Sequence, residues 1–553
     1  MPQGCPWGSA TVNNTDPYSA PPETGMTRFY DFTISHAVIK PDGVEKNGVV
    51  INGAFPGPTI EANWGDWIQV TVHNALEDEG TPLHWHGMRQ LATPWFDGVP
   101  SVQQCPIAPG STFTYRFKAD TYGTSWYHAH YSAQYSGGAL GPLIVYGPKH
   151  ADYDNDVGPI LLTDHFHEEY TKVVEQVMAP ISAKLPPPLS NNNLINGKMN
   201  YPCSSTKNVC TPNAGVSKFS FQSGKKHRLR LINGGAEGIQ KFSIDNHQMT
   251  VIANDFVPIQ PYTANVITLG VGQRTDIIVE ATGKPTDAVW MRSNLGKAFP
   301  AGCNLVDGVS PEAVAAIYYE KADQTAIPTT QSSASPAEIA FCGSDALAKT
   351  TPYYPITPEA NPTTTRDIDI ELKSNGTHNL WYMGGSTFRA DYNDPVLLEA
   401  KLGNTSFPPI WNVHNFGSDK TVRLVVYNHF TLGSHPMHLH GHDVFVLAEG
   451  FGKWDGSVVN PSNPQRRDVQ LLQAAKDDNT PAYIVIQIEM DNPGVWPFHC
   501  HIAWHMSGGL YINVLERPAD ITNANIPGVI AQTCRDWAAW TGGHISDQID
   551  AGL

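Results

Sequence analysis

Short segments in which branched apolar residues alternate with polar ones recur along the chain and share one ending. The clearest are IQVTVHN (68–74), HRLRLIN (227–233) and VRLVVYN (422–428), and each of them stops at Asn. Side chains in a strand point alternately to opposite faces, so this pattern predicts strands that are buried on one face. A turn is expected directly after each strand, where the Asn stands.

A second recurrent unit follows each of these strands. It comprises a strand, a turn and a strand led by Trp, in FTYRFKADTYGTSWYHAH (113–130), TDIIVEATGKPTDAVWMR (275–292) and YIVIQIEMDNPGVWPFHCH (483–501). Two units repeated in the same order at three places predict a triplicated β-sandwich.

Two polar stretches separate the three copies. GPKHADYDNDVGP (147–159) follows the first copy, and QTAIPTTQSSASPAE (324–338), rich in Ser, Thr and Pro, precedes the third. Such composition is typical of connections between domains. The expected domains are therefore residues 1–155, 156–335 and 336–553.

The three copies differ in their histidines. The first carries HWH (84–86) and HAH (128–130), and the third carries HPMHLH (435–440) and HCH (499–501). The middle copy has DNHQM and WMR at the matching places. Whatever chemistry the histidines perform is expected to be shared by the first and third domains, with the middle domain as a spacer, wall or substrate surface.

Composition and charge narrow the class of protein. The 48 Gly and 44 Pro in 553 residues suit a β-rich chain of short strands and turns. The net charge of −17 argues against a nucleic-acid partner. The sequence contains no run of about 18 apolar residues, so no membrane span is predicted. The N-terminus lacks the basic and apolar stretches of a signal peptide, and a mature form is the alternative explanation.

The cysteines and sequons favour an oxidising, secreted setting. N-x-S/T sequons occur at Asn13, Asn375 and Asn404. Cys203 and Cys210 are close enough to close one loop. Two further bridges of open connectivity are available to Cys105, Cys303, Cys342 and Cys534. Cys5 and Cys500 remain, and Cys500, between two histidines, is expected to stay unpaired.

Histidines at positions i and i+2 of a strand point to one face and can share a ligand. One such pair is weak evidence, but four pairs in two matched copies, one of them around a cysteine, favour a metal. One thiolate with two imidazoles is typical of blue copper, whereas zinc prefers closed Cys/His sets or His/carboxylate sites with an open position. Cys500 with His435 and His505 forms such a set.

The axial position of this set falls on Leu510, ten residues after Cys500. A leucine cannot coordinate, which favours Cu(I) and raises the reduction potential. Met506 is the alternative, but it directly follows a ligand and is expected to point away. His499 and His501 lie on the opposite face of the strand from Cys500, so they are expected to join a second copper cluster behind the first. The other candidates for that cluster are His84, His86, His128, His130, His438 and His440.

The four histidine-containing segments resemble the signatures of a known family. HWHG (84–87), WYHAH (126–130), HPMHLHGH (435–442) and HCHIAWHMSGGL (499–510) resemble the four copper signatures of multicopper oxidases, in order and over essentially the whole chain. HCHIAWH, WFDG (95–98) and the terminal DAGL (550–553) are most similar to ascomycete-type fungal laccases. The resemblance implies an all-β fold of three consecutive cupredoxin-like Greek-key β-sandwich domains that hold four coppers.

The resemblance also implies which residue holds which copper. The type 1 copper would take His435, Cys500 and His505, and the type 2 copper His84 and His438. One type 3 copper would take His86, His128 and His501, and the other His130, His440 and His499. His442 lies inside a motif but is not a family ligand, and a structural role is expected for it.

The activity implied is one-electron oxidation of phenols or aromatic amines at the type 1 copper, coupled to four-electron reduction of O2 to water at the trinuclear cluster. Asp97 resembles the acid that family members use to deliver protons to the cluster, and the alternative is a turn aspartate before Gly98. Glu237 resembles the pocket carboxylate that takes the phenolic proton, and the alternative is a solvated loop glutamate. Trp504, the loop 185–189 and Leu432 are expected either to line the pocket or to pack in the core.

The chain departs from the family at both ends. DAGL resembles a tail whose terminal carboxylate, here that of Leu553, plugs a channel to the cluster, but the usual form is DSGL; a frayed terminus is the alternative. The family often pairs two cysteines near the N-terminus, whereas only Cys5 is present here.

Other multicopper oxidases are the first alternative to a laccase. Ascorbate and bilirubin oxidases usually carry an axial Met where Leu510 stands, and ferroxidases can share the Leu, but no membrane anchor or acidic iron site is evident. A copper carrier would need only Cys500, His435 and His505, so the eight further histidines argue against it. A secreted monomer that uses O2 and binds neither nucleic acid nor membrane is expected.

Overall fold

The fold comes from a computed structural model that describes residues 6–297, 302–522, 525–542 and 548–553. Cys5 lies outside the described residues. The expected all-β class is confirmed, because the chain forms six sheets that pack as three sandwiches.

The first sandwich contains two four-stranded sheets. Its strands are β1 (Thr27–Ile39), β2 (Lys46–Ile51), β3 (Ile60–Asn63), β4 (Trp67–Asn74), β5 (Leu83–Trp85), β6 (Thr112–Lys118), β7 (Gly123–Ala129) and β8 (Leu140–Tyr146). The sheet orders are β2-β1-β4-β6 and β3-β8-β7-β5.

The second sandwich pairs a six-stranded with a five-stranded sheet. Its strands are β9 (Asn155–His165), β10 (Asn192–Ile195), β11 (Lys218–Phe221), β12 (Lys226–Asn233), β13 (Gln240–Ile244), β14 (Met249–Asn254), β15 (Val257–Ala264), β16 (Ile267–Leu269), β17 (Arg274–Glu280), β18 (Ala288–Asn294) and β19 (Glu312–Tyr319). The orders are β10-β9-β12-β17-β14-β15 and β11-β19-β18-β13-β16.

The third sandwich has the same composition. Its strands are β20 (Thr364–Ser374), β21 (Asn379–Met383), β22 (Val413–Asn415), β23 (Thr421–Asn428), β24 (His435–Leu439), β25 (Val444–Phe451), β26 (Gln465–Arg467), β27 (Val469–Leu472), β28 (Ala482–Glu489), β29 (Gly494–Cys500) and β30 (Tyr511–Glu516). The orders are β21-β20-β23-β28-β25-β26 and β22-β30-β29-β24-β27.

Helices are short and lie in the connections. They are α1 (Tyr170–Val177), α2 (Pro336–Ala340), α3 (Val396–Lys401), α4 (Ala503–Ser507), α5 (Pro518–Ile521) and α6 (Gly528–Thr541). Single 3-10 turns occur at Pro94–Phe96, Gln134–Gly137, Ile181–Ala183, Cys203–Ser205 and Pro409–Trp411. None of the helices in the described ranges is long and apolar enough to span a membrane.

The three predicted strands are β4, β12 and β23, and they occupy equivalent places. Each lies parallel to the first strand of its own sandwich and antiparallel to the strand of the second repeated unit, which is β6, β17 or β28. In each unit the next strand, β7, β18 or β29, lies in the opposing sheet. The predicted triplication is thus confirmed at the level of strand pairing.

The shared terminal Asn has a common structural role. The side chains of Asn74, Asn233 and Asn428 are buried, and each donates to two main-chain carbonyls across the turn that follows. Each also accepts the backbone N–H two residues further on. The Asn therefore satisfies buried backbone groups where the strand pairing ends, which accounts for its recurrence.

The first predicted linker is shorter than its composition indicated. Strand β9 begins at Asn155, inside the polar stretch 147–159. Asp156 accepts hydrogen bonds from buried Arg230 at 2.7 and 3.1 Å, and this pairing allows polar residues to run into the sheet.

The disulfides follow the expected division of the cysteines. Cys203 pairs with Cys210, while the bridges left open are Cys105 to Cys534 and Cys303 to Cys342. Within the described ranges the free cysteine is Cys500, and it is buried.

The apolar core explains how the outer domains meet. Buried side chains of the first and third sandwiches form one continuous cluster, whereas most of the middle sandwich has its own. The strands that carry the histidines, β5, β7, β24 and β29, all belong to this shared region.

Candidate metal centre

Cys500, His435 and His505 come together as the motif spacing predicted. Strands β24 and β29 are antiparallel neighbours, with Met437 opposite Cys500, and α4 carries His505 back toward the same point. The two imidazole Nδ1 atoms lie 3.1 Å apart, and each lies 3.5 Å from the Cys500 Sγ. Three donor atoms therefore surround one position.

The charge states of these three side chains suit a bound cation. Burial lowers the pKa of His435 well below its usual value and that of His505 to about 3, so both rings are neutral. Burial raises the pKa of the Cys500 thiol. A thiolate at this position therefore requires a cation beside it.

Two further side chains define this site. Leu510 is fully buried, its N–H donates to the His505 carbonyl at 3.1 Å, and its carbonyl accepts from the Cys500 N–H at 3.2 Å. Trp381, which the sequence patterns did not single out, packs against both rings, with centroid distances of 4.9 Å to His435 and 4.6 Å to His505. It lies in β21, where a buried aromatic carries no distinguishing signal.

The eight remaining histidines form one buried cluster between the first and third sandwiches. His84 pairs with His128 across β5 and β7, and His438 pairs with His499 across β24 and β29. All eight are at most 1% exposed; they are His84, His86, His128, His130, His438, His440, His499 and His501.

Contacts inside this cluster are suited to a bound cation. His440 donates its Nδ1–H to a carboxylate and His499 donates its Nδ1–H to the Cys500 carbonyl, so both Nε2 atoms carry lone pairs. These two Nε2 atoms lie 3.1 Å apart. Two lone pairs at this separation repel each other unless a cation lies between them.

Unpartnered nitrogens support the same conclusion. Within the described part of the chain, buried ring nitrogens of five cluster histidines have no hydrogen-bond partner: Nε2 of His84, His128 and His438, both nitrogens of His130, and Nδ1 of His501. Leaving buried polar atoms unpaired is costly, and a bound metal would satisfy one nitrogen of each ring that faces it. Burial also lowers the pKa values of His86, His128, His130, His438, His440 and His501 well below the usual range, and that of His499 to about 4.

Asp97 orients two of the cluster histidines. Its carboxylate accepts from His440 Nδ1 at 2.8 Å, and its main-chain carbonyl accepts from His84 Nδ1 at 2.8 Å. The residue is fully buried, and its Oδ1 has no hydrogen-bond partner among the described residues. Asp97 directly follows the 3-10 turn Pro94–Phe96, so it is a turn residue and also contacts the histidine cluster.

Asp468 plays the corresponding part on the other side and was not predicted. Its carboxylate accepts from His86 Nε2 at 3.1 Å, and its carbonyl accepts from His438 Nδ1 at 3.0 Å. Arg274, from the middle sandwich, donates two 2.5 Å hydrogen bonds to the same carboxylate. The only hint in the sequence is the charged run RRD inside an apolar strand pattern, which does not identify a partner.

Glu237 lies beside the Cys500 site. The carbonyl of Ala236 accepts from the N–H of Ala503 in α4 at 2.9 Å, so the loop of Glu237 is attached to the helix of His505. Asp164 holds this loop by accepting the N–H groups of residues 236–238 at 2.6 to 2.9 Å. Burial, with the Asp164 charge, raises the pKa of Glu237 well above its usual value. Its Oε2 is buried without a partner among the described residues, unlike that of a solvated loop glutamate.

The other expected pocket residues divide by exposure. Trp504 is 4% exposed, whereas Leu185 and Leu432 are each 55% exposed.

His442 pairs with Glu516 at 3.0 Å and donates to the His440 carbonyl. It therefore supports the cluster without joining it.

The C-terminal residues are buried and anchored. Leu553 is fully buried, and Asp550 accepts from the hydroxyls of Ser132 and Ser507 at 2.7 and 2.8 Å. Ser132 follows His130 by two residues, and Ser507 follows His505 by two. The tail therefore lies between segments that belong to both histidine sites and is not frayed.

Comparisons with known proteins agree with this architecture. Models of the multicopper oxidase family match residues 33–150, 156–321 and 365–520. The chain is 39% identical to oxidoreductase OpS5 of Beauveria bassiana, over 97% of this chain and 89% of that protein. It is 36% identical to laccase-2 of Botryotinia fuckeliana, over 99% and 92%.

A solved structure extends the similarity to three dimensions. The laccase from Botrytis aclada is 35% identical to this chain, and the match covers 100% of both chains. The two structures superpose with a TM-score of 0.88. The expected cupredoxin-like domains and the resemblance to ascomycete laccases are thereby confirmed. The chain belongs to the multicopper oxidase family.

Proposed function

We propose that this enzyme is a laccase, which oxidises phenolic or aromatic amine donors by one electron each and reduces O2 to water. The observation that carries the proposal is a contrast in exposure. Ten of the eleven proposed ligands are buried, whereas His505 is partly exposed. A donor at the surface can therefore reach one ligand of one site, while the histidine cluster behind it is shielded from solvent.

The proposed loading is four coppers, assigned by motif position and consistent with the donor atoms described above. His435, Cys500 and His505 would hold the type 1 copper, and His84 and His438 the type 2 copper. His86, His128 and His501 would hold one type 3 copper, and His130, His440 and His499 the other. When bound, the coppers would supply the redox chemistry by which single electrons are collected and four are delivered to O2.

The chain's own residues orient donors and handle protons. Glu237, with its raised pKa and unpartnered Oε2, is proposed to accept the phenolic proton beside His505. Asp97 is proposed to supply protons at the cluster from its unpartnered Oδ1, in addition to orienting His440. Leu510 is proposed to fill the axial position without coordinating, and Leu553 to close the access to the cluster.

We propose a secreted monomer whose partners are O2 and small phenolic or aromatic amine donors, with domains at residues 1–155, 156–335 and 336–553. Asn13 and Asn375, two of the three sequons, are exposed and thus open to glycosylation.

The test is O2 uptake by the copper-loaded protein with a simple methoxyphenol. About four phenols oxidised per O2, without peroxide, would establish both sites together, because reducing O2 to water takes four electrons. If the phenol bleached the type 1 absorption but no O2 disappeared, the protein would be an electron carrier and the proposal would fail.

A further inference from the structure

A fifth histidine pair lies outside both copper sites. His165 ends β9 and His167 follows two residues later, in the sequence HFH. Asp42, from the loop between β1 and β2 of the first sandwich, faces both rings. One potential ligand atom from each of the three side chains lies within 4.8 Å of the other two.

These side chains are buried and only partly satisfied. Asp42, His165 and His167 are 1%, 4% and 8% exposed. His167 Nε2 lies 2.8 Å from Asp42 Oδ2, which also accepts from the Asn192 amide at 2.9 Å. His165 Nε2 is buried and has no hydrogen-bond partner in the described parts of the chain. The hydrogen bond between His167 and Asp42 therefore does not explain why His165 is buried beside them.

Two imidazoles and one carboxylate form a donor set for a divalent transition metal. Zn²⁺ takes this combination with an open fourth position, and Cu²⁺ also binds imidazole with high affinity. A cation would take the place of the proton that His167 shares with Asp42.

Among the described residues, the positive charge of Lys46 is the neighbouring charge that would repel a metal ion bound here. Its Nζ donates to the Phe166 carbonyl at 2.8 Å, so its charge is directed at the backbone. Burial lowers the pKa of Lys46 to about 8.

We propose that Asp42, His165 and His167 form a fifth metal site, for a single Zn²⁺ or Cu²⁺ ion. It joins the first sandwich to the end of β9 in the second. Phe166, between the two histidines, packs against Trp504 with ring centroids 5.3 Å apart, and Asp164 holds the loop of Glu237. The bound ion therefore fixes the segment that supports the proposed donor pocket.

The test uses copper-loaded enzyme that has been freed of loosely bound ions on a chelating resin. Equilibrium dialysis against Zn²⁺ alone, followed by elemental analysis, should give one zinc per chain in addition to copper. Crystals measured at the zinc absorption edge should show anomalous density between Asp42 and the two histidines. A parallel dialysis against Cu²⁺ distinguishes the two ions by which one occupies the site.

His165→Phe is the decisive variant. Phenylalanine keeps the ring that stacks on Phe55 and leaves the hydrogen bond between His167 and Asp42 intact, so folding should be preserved. The type 1 absorption of the variant reports whether the copper sites are intact. We expect zinc binding to weaken by at least about tenfold, since loss of a ligand exceeds the loss of an outer-shell partner.

His429→Gln is the matched control. His429 pairs with Asp369 at 2.7 Å on the surface of the third sandwich, so this variant removes an Asp-paired imidazole away from the proposed site and should bind zinc as the parent does. The proposal is overturned if the parent binds neither ion at this position, or if His165→Phe binds as tightly as the parent. Neither outcome depends on laccase activity.

Discussion

At the scale of single residues, hydrogen bonds to the backbone and to two aspartates select the ring nitrogen that six of the eight cluster histidines offer to a metal. Carbonyl and carboxylate oxygens only accept, so a ring nitrogen beside one must carry the proton. His84 and His438 donate through Nδ1 and keep Nε2 free, whereas His86 donates through Nε2 to Asp468 and keeps Nδ1 free. That free Nδ1 lies 3.2 Å from His501 Nε2.

The role of Glu237 as a base predicts a selective defect in Glu237→Gln. Oxidation of phenols should fall by about 100-fold, the magnitude typical of a lost general base. Oxidation of hexacyanoferrate(II), which releases no proton, should change little. Because the raised pKa of Glu237 keeps it protonated at low pH, the parent's phenol rate should rise with pH as the carboxylate forms, and this rise should vanish in the variant. The measurement is the pH profile of kcat/KM with both donors.

Glu449→Gln controls for the loss of a half-buried carboxyl. Burial also raises the pKa of Glu449, to about 7, but its partner is Gln470 and not a donor-site residue. Equal losses on the phenol and on hexacyanoferrate(II) in Glu237→Gln would count against the proton-accepting role.

Asp97→Asn separates the two half-reactions. The amide oxygen can still accept from His440, but the negative charge and the transferable proton are lost. Reoxidation by O2 should slow about 10- to 100-fold, as for other outer-shell partners of metal ligands, while anaerobic reduction of the type 1 copper by phenol stays unchanged. Stopped-flow absorption measures both steps. Asp245→Asn, an equally buried aspartate paired with Arg292, is the control, and unchanged reoxidation in Asp97→Asn would remove Asp97 from the mechanism.

At the scale of elements, β29 connects the two sites because alternate residues face opposite sides. Cys500 faces His435 and His505, while His499 and His501 face the cluster. The turn after each repeated strand depends on its terminal Asn, whose three occurrences make the same hydrogen bonds. Strand pattern and turn residue were both readable from the sequence, because they depend on neighbours close along the chain.

The C-terminal segment is the element whose removal is most informative. Deleting Asp550–Leu553 removes a fully buried Leu, worth about 1.5–3 kcal/mol, and the carboxylate that accepts from Ser132 and Ser507. We expect a lower thermal midpoint together with altered cluster spectra and O2 turnover. Asp550→Asn, which keeps the segment but removes its charge, should show a smaller effect of the same kind. Identical spectra and turnover in the deletion would contradict a role at the cluster.

At the scale of the whole molecule, the middle sandwich supports the cluster although it contributes no proposed ligand. Arg274 donates to Asp468 and also to the Thr124 carbonyl of the first sandwich at 3.2 Å. Gly272 comes so close that a Cβ there would lie 2.8 Å from a ring carbon of His501, at a φ of +83°. Arg467 likewise pairs with Asp255 across the domains. The middle domain is therefore a positioning element as well as a spacer.

Arg274→Met tests this role. The substitution leaves the Asp468 carboxylate buried beside His86 without its cation, which should cost about 3–5 kcal/mol. We expect a lower thermal midpoint and fewer coppers per chain, measured by elemental analysis and by the spectra of the cluster.

Arg292→Met breaks a comparable pair with Asp245 inside the middle sandwich. It should also lower the thermal midpoint while leaving the copper content intact. If Arg274→Met kept its full copper content, the middle sandwich would have no part in holding the cluster.

The sequence was sufficient to predict the strands, their triplication, the grouping of the histidines into two outer copies and the copper-type ligand set proposed around Cys500. These features depend on periodicity, on spacing within a strand and on the softness of a thiolate, all of which are local. Only the tertiary structure shows that Cys105 pairs with Cys534 and Cys303 with Cys342, which ring nitrogen most cluster histidines leave free, and that Asp468 contacts His86 and Arg274. The triad of Asp42, His165 and His167 belongs with these. Its members come from different domains, as do His86 and Asp468, which are 382 residues apart. A local sequence pattern cannot show which distant side chains are brought together by packing.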